Sequence, residues 1–213
     1  MFKNIFIVYL IVLFSFSVLG IAQISEETIK EYENYKSIVD ANPEDPWAHF
    51  NLAITYAYMG KIEKGLSSLE KVDSLDNSFA DKVISKFSEL IQEKPEDWRI
   101  RFRLAFAYYF AKDKDNALKE LQEVATMLPI GAKNAWAYGY MAVMYGEQKK
   151  WDKAVEYCRK GLAIEPKAAA IHFALAQALK ETGDFLGAAA ELFTASRLRA
   201  EEMKYERLNG ISY

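Results

Sequence analysis

Cysteine is nearly absent from this chain. Cys158 is the only one in 213 residues, so no disulfide can close within one copy. With two histidines, His49 and His172, no Cys/His spacing resembles a zinc site. Charge of one sign is lacking too: 27 Lys and Arg face 30 Asp and Glu, a net charge of −3. A nucleic-acid binder needs a clustered basic face, and none is present. No glycine-rich phosphate cradle and no hydrolytic triad can be found. What remains is an apolar half, 51% of the residues, enough to bury a core in one domain or two small ones.

The stretch "MFKNIFIVYLIVLFSFSVLGIAQISEE" has a short head bearing Lys3, an apolar run from Ile5 to Leu19, and the small residues Gly20 and Ala22 before Gln23. This predicts a secretory signal over residues 1–22 cut after Ala22, with an uncleaved membrane anchor as the alternative. Lys3 ahead of the segment and Glu26 and Glu27 behind it predict export of the rest, to the periplasm or another extracytoplasmic site. No cysteine lies near residue 22 to carry a lipid.

Beyond the leader the sequence repeats itself in units of 34 residues. Leu104, Ala105, Tyr108, Ala117, Leu121, Val124 and Pro129 keep the spacing of Met141, Ala142, Tyr145, Ala154, Cys158, Gly161 and Pro166. Leu175, Ala176, Leu179, Ala188, Leu192 and Ala195 follow it, and Leu52, Ala53, Tyr56, Gly65, Leu69 and Val72 precede it. Within each unit apolar residues take helical spacing twice, broken by a polar turn such as "MGK" or "TGD". The pattern predicts an all-α chain of antiparallel helix pairs. Small residues at Ala53 and Gly65, Ala105 and Ala117, Ala142 and Ala154, Ala176 and Ala188 mark where paired axes cross, and Gly161 fits the same logic against the next unit. Pro166 ends its helix because it cannot donate to the ladder.

This arrangement resembles the tetratricopeptide repeat over four units, 46–79, 98–131, 135–168 and 169–202. Asn77 and Ala200 replace the closing proline in the first and last. The resemblance implies an α-solenoid. Around the units the sequence predicts a capping helix within 23–45, an inserted helix within 80–97, a short insert at 132–134 and a charged helical cap and tail at 203–213, with Gly210 as a stop. "SEETIKEYENYKSIVDANPED" and "FADKVISKFSELIQEKPED" both end in Pro-Glu-Asp and read as second helices lacking their first. The second carries an apolar stripe, Val83, Ile84, Phe87, Leu90 and Ile91, that must pack on something. The expectation is that it splits the array near 76–97, leaving three units on the C-terminal side.

In the resembled family the first helices line a concave groove that holds a partner peptide or helix. Its groove positions correspond here to Trp47, Phe50, Ile54 and Tyr58, then Phe102, Phe106, Tyr109 and Phe110, then Trp136 and Val143, then Phe173, Gln177 and Glu181. Aromatics at such positions build binding hot spots, although at helical spacing they also build core, and the orphan helices could fill the concavity. The Lys and Asn clamp with which some relatives grip a terminal carboxylate is missing; Phe50, Ile54, Arg103, Trp136 and Tyr140 stand there. His49 and His172 occupy one repeat position and read as packing groups, and Cys158 matches Leu121 and Leu192, which makes it a core thiol. The expected function is a non-catalytic scaffold that binds another envelope or secreted protein, with no cofactor, metal or nucleic acid. Self-assembly into a homo-oligomer is the second reading, and a small-molecule receptor beside the inserted helix the third. Membrane contact is expected only through residues 1–22, if they stay uncleaved.

Overall fold

The computed structural model describes residues 26–59, 62–128 and 132–208, and ten α-helices with no strand make up that part. They are α1 (Glu26–Ala41), α2 (Pro46–Tyr58), α3 (Ile62–Leu75), α4 (Phe79–Glu93), α5 (Trp98–Phe110), α6 (Lys114–Met127), α7 (Ala132–Glu147), α8 (Trp151–Ile164), α9 (Ala169–Glu181) and α10 (Phe185–Leu208). The leader at 1–22, the closing Pro129 and the stop at Gly210 lie outside the described residues. No described helix is long and apolar enough to cross a membrane.

The Pro-Glu-Asp tripeptides explain two helix starts. Asp45 accepts hydrogen bonds from the backbone N–H groups of Trp47 (2.8 Å) and Ala48 (3.2 Å), with Pro46 in the first helical turn where its missing N–H costs nothing. Asp97 does the same for Arg99 at 3.0 Å. After α5, α7 and α9 the chain doubles back through a tight turn whose left-handed residue falls at one repeat position: Lys112 (φ 66°), Lys149 (φ 58°) and Gly183 (φ 90°). Glycine adopts that conformation freely, whereas lysine pays for its Cβ.

Small residues set the closeness of the pairs. A Cβ on Gly65 would stand 3.2 Å from the Ala53 carbonyl, so α2 and α3 touch backbone to side. Ala105 with Ala117 and Ala142 with Ala154 are buried at the matching crossings of α5–α6 and α7–α8. Gly161 is tighter still: a Cβ there would meet the Ile171 Cδ1 at 2.9 Å and the Ala135 carbonyl at 3.1 Å. Ile171 belongs to the next repeat, so one glycine regulates both the pair and the stack.

The described chain divides into two compact units, one ending at Met127 and the other beginning at Leu128. The break expected near 76–97 is thus displaced to 127/128. The reason is that α4 binds its neighbours together. It packs along α5 as α8 packs along α9, the arrangement of a second helix without its first, and α1 packs on α2 likewise. Its buried Phe79 and Phe87 also reach α2, where Trp47 lies 4.8 Å from Phe79 and Phe50 lies 5.6 Å from it, centroid to centroid. Two boundaries also move. The insert at 132–134 is the first turn of α7, and the described part of the cap expected at 203–213, residues 203–208, is a continuation of α10, which runs unbroken for 24 residues because nothing between Ala195 and Leu208 breaks a helix.

Two substitutions check these packing and turn arguments. Gly161→Val should lower stability by about 2–3 kcal/mol in denaturant unfolding, since the Ala135 carbonyl cannot move aside. Lys149→Gly should raise it by about 1 kcal/mol through relief of the left-handed turn.

Candidate partner-binding site

In the first unit most of the expected groove wall is core. Phe50 is 0% exposed, Ile54 1% and Phe102 3%, and Trp47 is half-buried under Phe79 and Phe87, with the Lys86 ammonium 4.1 Å above its ring. These residues do not form an open wall: α4 covers Trp47 and Phe50, and Phe102 is packed against Tyr58 of α2. Tyr58, also half-buried, packs on Phe102 (4.7 Å) and Trp98 (5.7 Å). Asn51 on α2 accepts a hydrogen bond from Arg103 Nε on α5 at 3.1 Å. Residue 58 thus faces residues 98 and 102 while 51 faces 103, so α2 and α5 run antiparallel. An odd inserted helix has this effect, since it reverses the chain before the next repeat begins.

Charge closes the remaining gap. Arg103 is buried, and besides Asn51 it donates to Glu31 of α1 at 3.1 Å, while Arg99 one turn earlier pairs with Glu27. A guanidinium taken out of water at this depth needs both partners. Beside it the Tyr58 hydroxyl is buried with no hydrogen-bond partner, and burial pushes its pKa up. Burial and then Tyr32, whose ring centre is 5.7 Å away, push the Tyr56 hydroxyl up to about 12. Phe106, Tyr109 and Phe110 stay partly exposed on α5.

The second unit keeps the regular stack. α9 packs on both α8 and α7, with Ile171 seated against Gly161 and Gly139. Trp136 and Val143 on α7 and Phe173 and Gln177 on α9 are all partly exposed, on two neighbouring first helices. Glu181, a turn beyond Gln177, accepts a hydrogen bond from its amide at 3.3 Å. Tyr140 is buried with its ring 6.4 Å from Trp136, backing the wall. An open cavity of about 710 Å³ also lies in this unit, bordered by charged side chains of α8 including Glu156, Arg159 and Lys160 and by Leu179, Thr182 and Asp184. The expected cavity beside the inserted helix belonged to the other unit.

Both histidines do the same job, one that sequence reasoning missed. His49 Nε2 lies 2.9 Å from the Pro43 carbonyl, and His172 Nε2 lies 2.9 Å from that of Pro166. Each ring ties the loop that ends one helix to the helix that follows. The shared spacing of six residues from the proline was the available signal. His172 Nδ1 also contacts Glu191 of α10. Cys158 is fully buried, and burial raises its thiol pKa, so no thiolate forms near neutrality. Among the described residues no group of three His, Cys, Asp or Glu is placed to hold a metal ion.

Three stretches match the sequence signature of the tetratricopeptide repeat, at residues 48–79, 100–127 and 135–168. The chain is a tetratricopeptide repeat protein. The matches begin and end within the units marked out by the 34-residue period. Comparison with curated proteins gives no match. Among solved structures, a crystal structure of MamA is 21% identical and covers 82% of this chain and 90% of that one, with a TM-score of 0.47. A MamA fragment from residue 41 to its end, from Desulfovibrio magneticus RS-1, is 18% identical over 83% of this chain and 88% of that one, with a TM-score of 0.46. The repeat fold accounts for the groove geometry of the second unit. In the first unit Trp47 and Phe50, at the same repeat positions, are covered by a helix that the family pattern lacks.

The tyrosines give this unit a pH signature. An unfolded Tyr56 ionises near 10 and the folded one near 12, so its contribution is intact below pH 10 and lost as pH rises from 10 to 12. Melting temperature should therefore fall above about pH 10, and Tyr56→Phe should flatten that fall.

Proposed function

We propose that this repeat protein is an exported, non-catalytic scaffold that binds a segment of another cell-envelope protein along the α7–α9 wall. The observation that carries the reading is the placement of Trp136, Val143, Phe173 and Gln177, partly exposed on adjacent first helices whose register Ile171 fixes against two glycines. Large rigid rings backed by a packed core give contact area at little entropic cost, and Gln177 with Glu181 supplies a polar rim. Such a wall suits an apolar or proline-containing segment or one face of a helix. Export rests on the charge and apolar pattern of residues 1–22. The first unit, with Trp47 and Phe50 covered by α4, serves as a rigid support and leaves Phe106, Tyr109 and Phe110 partly exposed.

Crosslinking in the native envelope, followed by identification of the captured protein, tests this directly. Trp136→Ala with Phe173→Ala should weaken capture roughly 30-fold, the effect of losing about 2 kcal/mol at a binding hot spot. Phe106→Ala should leave capture close to wild type. Undiminished capture by the double variant, with helicity unchanged, would mean that the wall is not the binding face.

A further inference from the structure

Six of the seven large hydrophobic side chains left exposed among the described residues stand on one helix, α10. Leu186 is 87% exposed, Phe193 72% and Met203 48%, whereas Ala195 and Leu198 on the opposite side of the same helix are buried. The repeat explains why this face is bare. One unit earlier, Val155 and Cys158 of α8 occupy the corresponding places and are buried in the core that α9 completes. Their counterparts on α10, Ala189 and Leu192, are exposed, because no described helix follows to cover them. The stacking interface of the second unit therefore continues onto a surface with no intramolecular partner among the described residues.

The pattern of that surface identifies what fits it. Leu186, Ala189, Phe193, Ser196, Ala200 and Met203 are spaced alternately three and four residues apart and all are exposed, which is the seam of a two-stranded coiled coil. In an antiparallel pair of such helices each position on one side of the seam faces a position on the other side of the partner's. A two-fold axis between residues 194 and 195 sets Phe193 opposite the partner's Ser196, Ala189 opposite Ala200, and Leu186 opposite Met203. The largest ring meets a small residue and the ends close on apolar pairs. Arg197, already paired with Glu201 at 2.7 Å, and Lys204 lie beside the seam at its wet rim. With 24 residues α10 spans about 36 Å, well beyond the 13 residues of α9 on which it lies, so a long seam is available.

We propose that the exposed face of α10 pairs antiparallel with α10 of a second copy, making the protein a two-fold dimer. This interface is separate from the α7–α9 wall and stands whether or not that wall binds a partner. Cysteine substitution in the full chain tests it cleanly, because the native Cys158 is buried. Light scattering should give a dimer mass for the wild type, and Phe193→Glu, at an exposed position, should weaken dimerisation at least tenfold with helicity unchanged. Leu186→Cys mixed with Met203→Cys should form a disulfide-linked pair on oxidation, while neither variant alone should link to itself. A wild type that stays monomeric across the concentration range, a dimer untouched by Phe193→Glu, or Leu186→Cys linking to itself as a parallel pair would each overturn the proposal. So would co-purification of a different protein on this face in place of the second copy.

Discussion

How closely two helix axes can approach is the constraint from which the rest of this structure follows. At Gly161 the backbone of α8 runs so near the Ala135 carbonyl and the Ile171 side chain that no Cβ fits. Alanines at the other crossings hold the same geometry in milder form. Close axes bring successive first helices side by side, and that adjacency lets two short helices present one continuous wall. Packing density, and not any charged or reactive group, is what the repeat conserves from unit to unit.

The inserted helix shows what happens when that rhythm is broken by half a repeat. A single additional helix reverses the direction of α5, so α5 runs antiparallel to α2 and the two first helices cannot line a common concave face. The aromatic positions are not wasted. Trp47 and Phe50 become the seat for Phe79 and Phe87, and the buried Arg103 bridges α1, α2 and α5 through Glu31 and Asn51. A surface that binds in a regular array has here become the core of a small bundle.

Most of the architecture was legible in the sequence, because the period, the small residues at crossings and the closing prolines are local signals that tertiary context does not override. The orphan helices were recognisable as second helices from the Pro-Glu-Asp ends alone. The fate of the groove was harder to read. Helical spacing shows that Phe50 and Phe102 share a face, but the same spacing serves a partner's helix or the chain's own. The stripe of Val83 and Phe87 on the inserted helix required a partner, and the aromatic excess of α2 was the place to look for it. At the end of α10 only the boundary of the expected helical cap differs. Charge in "AEEMKYERL" suggested a separate cap, yet Ala, Glu, Met, Lys and Arg are all good helix formers and simply extend the helix before them.

The paired histidines have a mechanical consequence. His49 and His172 fasten the beginning of a repeat to the loop just before it, whereas Arg101 holds that position on α5 and bonds instead to Glu120 of its own pair. Pulled from its ends, the molecule would then resist unequally along its length. The α8–α9 joint has a histidine latch across it, and the α4–α5 joint has the Asp97 cap without that latch, which makes it the earlier of the two to peel open.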